Sequence, residues 1–362
     1  MNLRRKIKVY TKRNHSKKKD WLNFLIHPIR AYWGDGTLDW EIYKYDFSFY
    51  KSYFVISDDI KDADVAFLPL SINYYLKRKK LSKVDKFIKF AEKNGLVTYI
   101  WIEGDYELRI KNYGRNCVFI KYFSNKTELK NNELIMPGDL KFDLLKFYFK
   151  GNFQFKKKSK VPIIGFDGLA NYPLNKLIQL ILKNIILQLS YNFHFTRINQ
   201  DHIFPYLIKR KKILIDLKNN SLLETNFNIR DIFAVGTIGK QKKLRNEFIN
   251  NIISSDYTFC YRGAANYSLR FYETLCLGRI PLFINTDCKL PFENKIDWKN
   301  LCLWIEERQI KNISEIILDF HNSHTKNQFI DKQIYCREIW LKYLSKKGFY
   351  NEFYNILKHK TK

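Results

Sequence analysis

Apolar positions along this chain fall into two rhythms, one of strands and one of helices. Lys6–Tyr10 (KIKVY), Val55–Ser57 and Ala63–Leu70 (ADVAFLPL) are short apolar runs that predict strands, the third ending at Pro69. Leu81–Asn94 places Val84, Phe87, Ile88 and Phe90–Ala91 at helical spacing and stops at Gly95, a C-cap signal. Val97–Ile102 (VTYIWI), β-branched and aromatic, predicts the next strand. Strand, helix and strand at this spacing make a parallel βαβ unit.

Past Gly151–Lys160 (GNFQFKKKSK), a polar and basic linker, the rhythm restarts. A strand opens at Val161 (VPIIGFDG) and runs into a Gly-bearing loop, Gly165–Asn171. The long apolar helix Leu174–Leu189 follows. Its most apolar part, Leu177–Leu189, is interrupted by Gln179, Lys183, Asn184 and Gln188, which is too short and polar to span a bilayer and predicts a buried helix. Ile213–Asp216 predicts a short strand, Leu244–Ile253 a helix, Tyr257–Cys260 a strand and Leu269–Leu277 a helix stopped by Gly278. Ile280–Ile284 then predicts a strand, with helices at Asn312–Phe320 and Gln333–Leu344. The fold class is therefore α/β, with two Rossmann-like domains facing a central cleft. The expected divisions are 1–152, 153–325, and C-terminal helices at 326–362 that pack back on the body. Clefts of this kind bind ligands at the C-terminal ends of their strands.

Composition changes this picture in one respect. Among 362 residues, 64 Lys+Arg stand against 36 Asp+Glu, a net charge of +28, while 46% hydrophobic residues exclude a disordered chain. The basic residues are spread in short clusters (Lys17–Lys19, Lys77–Lys80, Lys156–Lys158, Lys209–Lys212, Lys240–Lys243) without a helix-turn-helix, zinc-finger or RNP pattern. No specific nucleic acid is expected, and a basic nucleic-acid-binding protein is kept as the rival of another class. A further reading is peripheral attraction to an anionic membrane. The six cysteines form no CxxC or Cys/His cluster, which points to reduced, buried thiols and no zinc. The basic N-terminal run has no apolar signal-peptide core behind it, so a cytoplasmic location is expected, at most peripheral at the inner membrane face.

The candidate chemistry lies in Asp256–Trp298 (DYTFCYRGAANYSLRFYETLCLGRIPLFINTDCKLPFENKIDW). Arg262 follows a predicted strand, and Gly263, Ala264 and Ala265 let a ligand approach the backbone. Asn266 or Ser268 is the N-cap candidate for the helix that carries Arg270 in its first turn. Two guanidinium groups at a helix N-terminus suit a diphosphate. Glu273, three residues after Arg270, shares its helix face and is placed to accept ribose hydroxyls. The competing reading is an ordinary surface ion pair between Arg270 and Glu273.

The run R-G-x-x-N-x-S-x-R-F-x-E-x-L-x-x-G-R-I-P-x-F-I, continued by Leu290–Glu293 and Ile296–Trp298, resembles the signature of exostosin-like glycosyltransferases, family 47. Ala63–Leu70 is similar to that family's A-D-x-F-x-x-P-L strand, and Pro162–Gly168 to the start of its donor domain. Arg230 and Arg245 fall in the basic run before the signature. The resemblance implies a GT-B fold, a nucleotide-sugar donor (usually a UDP-sugar) and transfer with inversion. Its donor residues carry over to Arg262, Ser268, Arg270 and Glu273, and the glycines Gly165 and Gly263 join them as loop positions. The implied acceptor is a glycan or a lipid-linked glycoconjugate, and the implied setting is synthesis of a surface polysaccharide, lipopolysaccharide or glycoprotein glycan. The chain lacks the membrane anchor and second catalytic domain of animal members, which directs the expectation to a bacterial or viral version. A GDP-sugar transferase of the fucosyl type is the enzymatic rival. No cofactor or metal is expected, because Arg and a helix N-terminus take the place of acidic metal ligands.

An inverting transfer needs a base opposite the leaving diphosphate. Glu103 and Asp105 (IWIEGDYE) follow a predicted strand of the first unit; the competing reading is a solvated acidic turn. Asp35 is the next candidate. Asp62-Ala63-Asp64 precedes its strand and reads as a loop, not a metal-binding pair. His27, His194, His202 and His321 show no paired spacing and read as structural or exposed. Trp33 and Trp101 are candidates for stacking on sugars.

Overall fold

The structure is a computed structural model and describes residues 5–15, 17–34, 48–111, 113–128, 130–138, 140, 142–199, 202–231 and 238–360. In chain order the first part supplies β1 (Ile7–Tyr10), β2 (Phe54–Ser57), β3 (Val65–Phe67), β4 (Thr98–Trp101), the two-residue β5 (Glu107–Leu108), β6 (Cys117–Lys121) and β7 (Glu133–Ile135). The second supplies β8 (Ile163–Leu169), the two-residue β9 (Ile198–Asn199), β10 (Glu224–Arg230), β11 (Tyr257–Cys260), β12 (Ile280–Asn285) and β13 (Leu303–Glu306). Two sheets result, ordered β2-β1-β3-β4-β6-β7 and β10-β8-β11-β12-β13. Every pairing within them is parallel. The fold is an α/β arrangement of two Rossmann-like units. Strands β4, β6, β11 and β12 are buried at every position, as parallel strands covered on both faces must be.

The two sheets meet at the C-terminal ends of their strands. Just past β6, Asn125 forms an isolated bridge with Cys288, just past β12. Lys126 N–H donates to the Asp287 carbonyl (2.8 Å), and Lys289 N–H to the Ser124 carbonyl (2.9 Å). A second seam forms where β5, beyond the end of β4, pairs antiparallel with β9. The Lys346–Lys360 helix returns to the first sheet. There Phe353 packs on Phe54, Phe67, Tyr99 and Trp101, and Tyr354 Oη donates to the Arg5 carbonyl (2.7 Å).

Four expectations are corrected. Ile213–Asp216 is no strand but the middle of a Tyr206–Lys218 helix that buries Ile213, Leu214 and Leu217. The apolar segment predicted to be buried is a helix, Leu174–Asn192, whose one buried residue is the polar Asn184. Gly165 lies inside β8, not in a loop: a Cβ there would sit 2.3 Å from Ser255 Oγ, so this glycine serves strand-to-helix packing. Trp101 is core, 5% exposed against Phe67 and Phe353, and is not free to stack on a sugar. Trp33 packs on Trp21. Asp64 of the Asp-Ala-Asp run accepts from Arg5 (2.7 Å) and from the Lys8 main chain (2.8 Å), a structural role.

Candidate functional site

The loop after β11 carries Arg262 at its second position, 3% exposed. Its guanidinium lies over the Tyr206 ring at 4.0 Å and donates to the Ala264 carbonyl at 3.3 Å. A Cβ at Gly263 would meet nothing within 4 Å, so this part of the loop faces open space. Ser268 occupies the N-cap of the Leu269–Cys276 helix with extended backbone, and its hydroxyl makes no capping bond. Asn266 does not cap either. It is fully buried and joins Thr286 to Asn125 across the meeting of the two sheets.

Arg270 sits in the first turn of that helix, half-buried, with its Nε shielded from solvent. Its Nη2 donates to the Asp167 carbonyl (2.8 Å), and its guanidinium lies 4.3 Å from the Phe166 ring centre. The close approach explains Gly168: a Cβ there would come within 2.6 Å of Arg270 Nη2. Arg210, on the Tyr206–Lys218 helix, reaches the same place. It donates to the Leu169 carbonyl (2.9 Å) and to the Arg262 carbonyl. Burial, and then the repulsion of Arg270, pull the Arg210 guanidinium down to about 9. Burial also lowers Arg270, against the opposing attraction of Cys260, Glu273 and Asp167. Among the described residues neither is bridged to a carboxylate; both rest on main-chain carbonyls at the ends of β8 and β11. Two such cations pressed together, with Arg262 alongside, make a place where an anion is welcome.

Glu273 is 5% exposed and pairs with Arg245 at 2.6 Å, so it is not the surface partner of Arg270. Beside this pair, Arg230 grips Asp167 with two bonds of 2.7 Å and Glu247 with one of 2.9 Å. The hydrogen bond to Asp167 is the main cause that raises Arg230 above its ordinary value.

A cavity of about 660 Å³ opens at the ends of β11, β12 and β13. Arg262, Tyr206, His202, Asn285, Asp287 and Glu306 line it, together with Asn125 of the first unit. His202 Nε2 and Tyr206 Oη are 2.6 Å apart. Against the burial that pushes it up, hydrogen bonds from Trp304 and Asn285 hold the Glu306 carboxyl below the usual range. Of the residues singled out in sequence, the cavity takes Arg262 and His202; Arg270, Glu273, Glu103 and Asp105 do not line it. Glu103 and Asp105 do follow β4 directly. Asn73 clamps the Glu103 main chain from both sides (2.6 and 2.8 Å). Asp105 is exposed at its surface, yet desolvation raises its carboxyl above the ordinary value. Asp35 lies outside the described residues. Among the described residues no group of three or more His, Cys, Asp or Glu is placed to hold a metal ion.

Sequence reasoning did not single out Arg210, which falls within the basic cluster Lys209–Lys212. The usable signal was the spacing 210, 213, 214, 217, one face of a helix.

Residues 210–319 match the model of the exostosin GT47 domain. Over 62 residues the chain is 42% identical to exostosin-1 of Drosophila melanogaster, covering 17% of this chain and 8% of that protein. Over 96 residues it is 30% identical to a probable glucuronosyltransferase of Oryza sativa subsp. japonica, covering 26% of this chain and 22% of that protein. The chain thus spans less than a quarter of the length of either relative. Among solved structures, the crystal structure of TarM aligns with a TM-score of 0.32 at 11% identity, over 72% of this chain and 50% of that one.

Proposed function

We propose, from the exostosin GT47 domain carried by residues 210–319, that this protein is an inverting glycosyltransferase. It takes a sugar from a nucleotide-sugar, a UDP-sugar, and passes it to a glycan or lipid-linked acceptor in the cytoplasm, for surface polysaccharide, lipopolysaccharide or glycoprotein glycan synthesis. The observation that carries this reading is the pair of half-buried arginines, Arg210 and Arg270, with solvent-shielded Nε atoms and no carboxylate bridge among the described residues, next to Arg262 on the cavity. A diphosphate leaving group brings two negative charges to such a place, and the attraction grows as the glycosidic bond breaks. Positive charge supplied by side chains leaves no step that needs a metal ion.

Glu273, held by Arg245, is the carboxylate assigned to the ribose hydroxyls. Asp105 is the acceptor base: its raised carboxyl lies nearer to the working pH than an ordinary aspartate, which favours proton transfer. As a base it must be ionised, so turnover falls as pH drops through its raised value. The test is a nucleotide-sugar panel scored for release of free nucleotide in EDTA, with wild type beside Asp105→Asn. UDP release by wild type, and loss of turnover with UDP affinity kept in the variant, supports the reading. Release of GDP alone would replace the donor, and no release from any donor would remove the transferase assignment.

A further inference from the structure

The Leu174–Asn192 helix inverts the usual segregation of a surface helix. Its buried position holds Asn184, whose amide donates to the Ile203 carbonyl at 3.0 Å. Its exposed positions hold Leu174, Ile178, Leu182, Ile186 and Leu189, each 48–71% exposed. At ~100° per residue these five span an arc of about 120°, one continuous stripe. Phe193 (69% exposed) and Phe195 (85%) extend it past the helix end.

The charges along the stripe's own segment are of one sign. No Asp or Glu occurs between Asp167 and Asp201, while Lys176, Lys183 and Arg197 are all exposed. The following helix adds exposed Lys209, Lys211, Lys212 and Lys218 against a single exposed acid, Asp216. No helix among the described residues is long and apolar enough to cross a membrane. An apolar stripe edged by Lys and Arg without acids is the pattern of a helix that lies in a lipid interface. A second copy of the chain fits less well, because each copy brings +28 to the contact.

We propose that the Leu174–Asn192 helix, with Phe193 and Phe195, docks the protein on the surface of a bilayer rich in anionic headgroups. This goes beyond the transferase reading and does not depend on it. The segment leads into β9, which pairs with β5 two residues past Asp105. Docking therefore lays the lipid surface beside the loop that follows β4.

The experiment is co-sedimentation of the full chain with phosphatidylcholine vesicles and with vesicles containing phosphatidylglycerol. Wild type is compared with Ile178→Gln/Leu182→Gln/Ile186→Gln, which keeps both charge and helix propensity. Wild type is expected to pellet with the phosphatidylglycerol vesicles and the triple variant to bind at least tenfold more weakly, with an unchanged melting temperature. Wild type left in solution, equal binding by the variant, or equal binding to the neutral vesicles would each overturn the proposal. A wild-type dimer that the triple variant abolishes, without vesicle binding by either, would also overturn it by giving the stripe to a second copy. If the variant melts early, the single change Leu182→Gln is read in the same assay, and binding equal to wild type again overturns the proposal.

Discussion

Two helices of the second unit break the rule of apolar inside and polar outside in opposite directions. Leu269–Cys276 buries Phe271 through Cys276 without exception, Glu273 included, and its half-buried Arg270 keeps its Nε away from solvent. Leu174–Asn192 is more than twice as long, buries a single asparagine and leaves a row of Leu and Ile in contact with solvent. Each departure is costly alone. A shielded guanidinium gives up hydration, and an exposed leucine stripe gives up the reward of burial. The difference teaches that the two violations point to different ligands: charge held inside awaits an anion within the cleft, and apolar surface held outside awaits an apolar phase.

The comparison is sharpest where a leucine is replaced in each helix. Leu275 is fully buried, and Leu275→Ala should cost about 2–5 kcal/mol, read as a fall in the denaturation midpoint. A loss much below that range would mean that the short helix is less tightly packed than its burial indicates. Arg270→Met tests the shielded charge from the other side. Removing one of two repelling cations should leave stability unchanged or raise it, while turnover falls by ~10²-fold or more, as for groups that stabilise a developing anion. Destabilisation with full activity would make Arg270 a packing residue. Gly165→Ala is expected to cost about 1–3 kcal/mol, because its Cβ has no room beside Ser255. UDP affinity measured by calorimetry on the folded fraction should stay at the wild-type value. Weakened nucleotide binding with an unchanged midpoint would return Gly165 to the donor site. The smallest effect belongs to the exposed stripe: Leu182→Gln should move stability by less than about 0.5 kcal/mol. A larger loss would show that the stripe is already packed against something in the free protein.

Much of the frame was legible because periodicity and punctuation agreed. Tyr257–Cys260 is the strand expected, and the helix expected over Leu81–Asn94 runs Leu81–Lys93 and is followed by Gly95, whose φ of +73° only glycine adopts readily. Sequence likewise put Arg262 in the loop past the Tyr257–Cys260 strand, and there it lines the cavity. What failed was reading burial from apolarity. Leu177–Leu189 is apolar enough for a core, but a sequence does not state what covers a helix, and here little does. Ile213–Asp216 failed for a related reason: its β-branched run favours a strand locally, while packing of Ile213, Leu214 and Leu217 on one face decides for a helix. Arg210 went unseen with it, because its burial follows from that face. The Glu273–Arg245 pair was out of reach for another reason, since it joins two helices whose packing no local pattern fixes.

The return of the Lys346–Lys360 helix to the first sheet has a consequence for how the chain is made. Phe54, Phe67, Tyr99 and Trp101 emerge early from the ribosome, but the ring of Phe353 that covers them follows Trp101 by 252 positions in the sequence. At ~5–20 residues per second, an aromatic face waits uncovered for roughly 10–50 s in each round of synthesis. The first unit is therefore synthesised before the second yet finished after it, and in the interval its aromatic face is open to wrong partners.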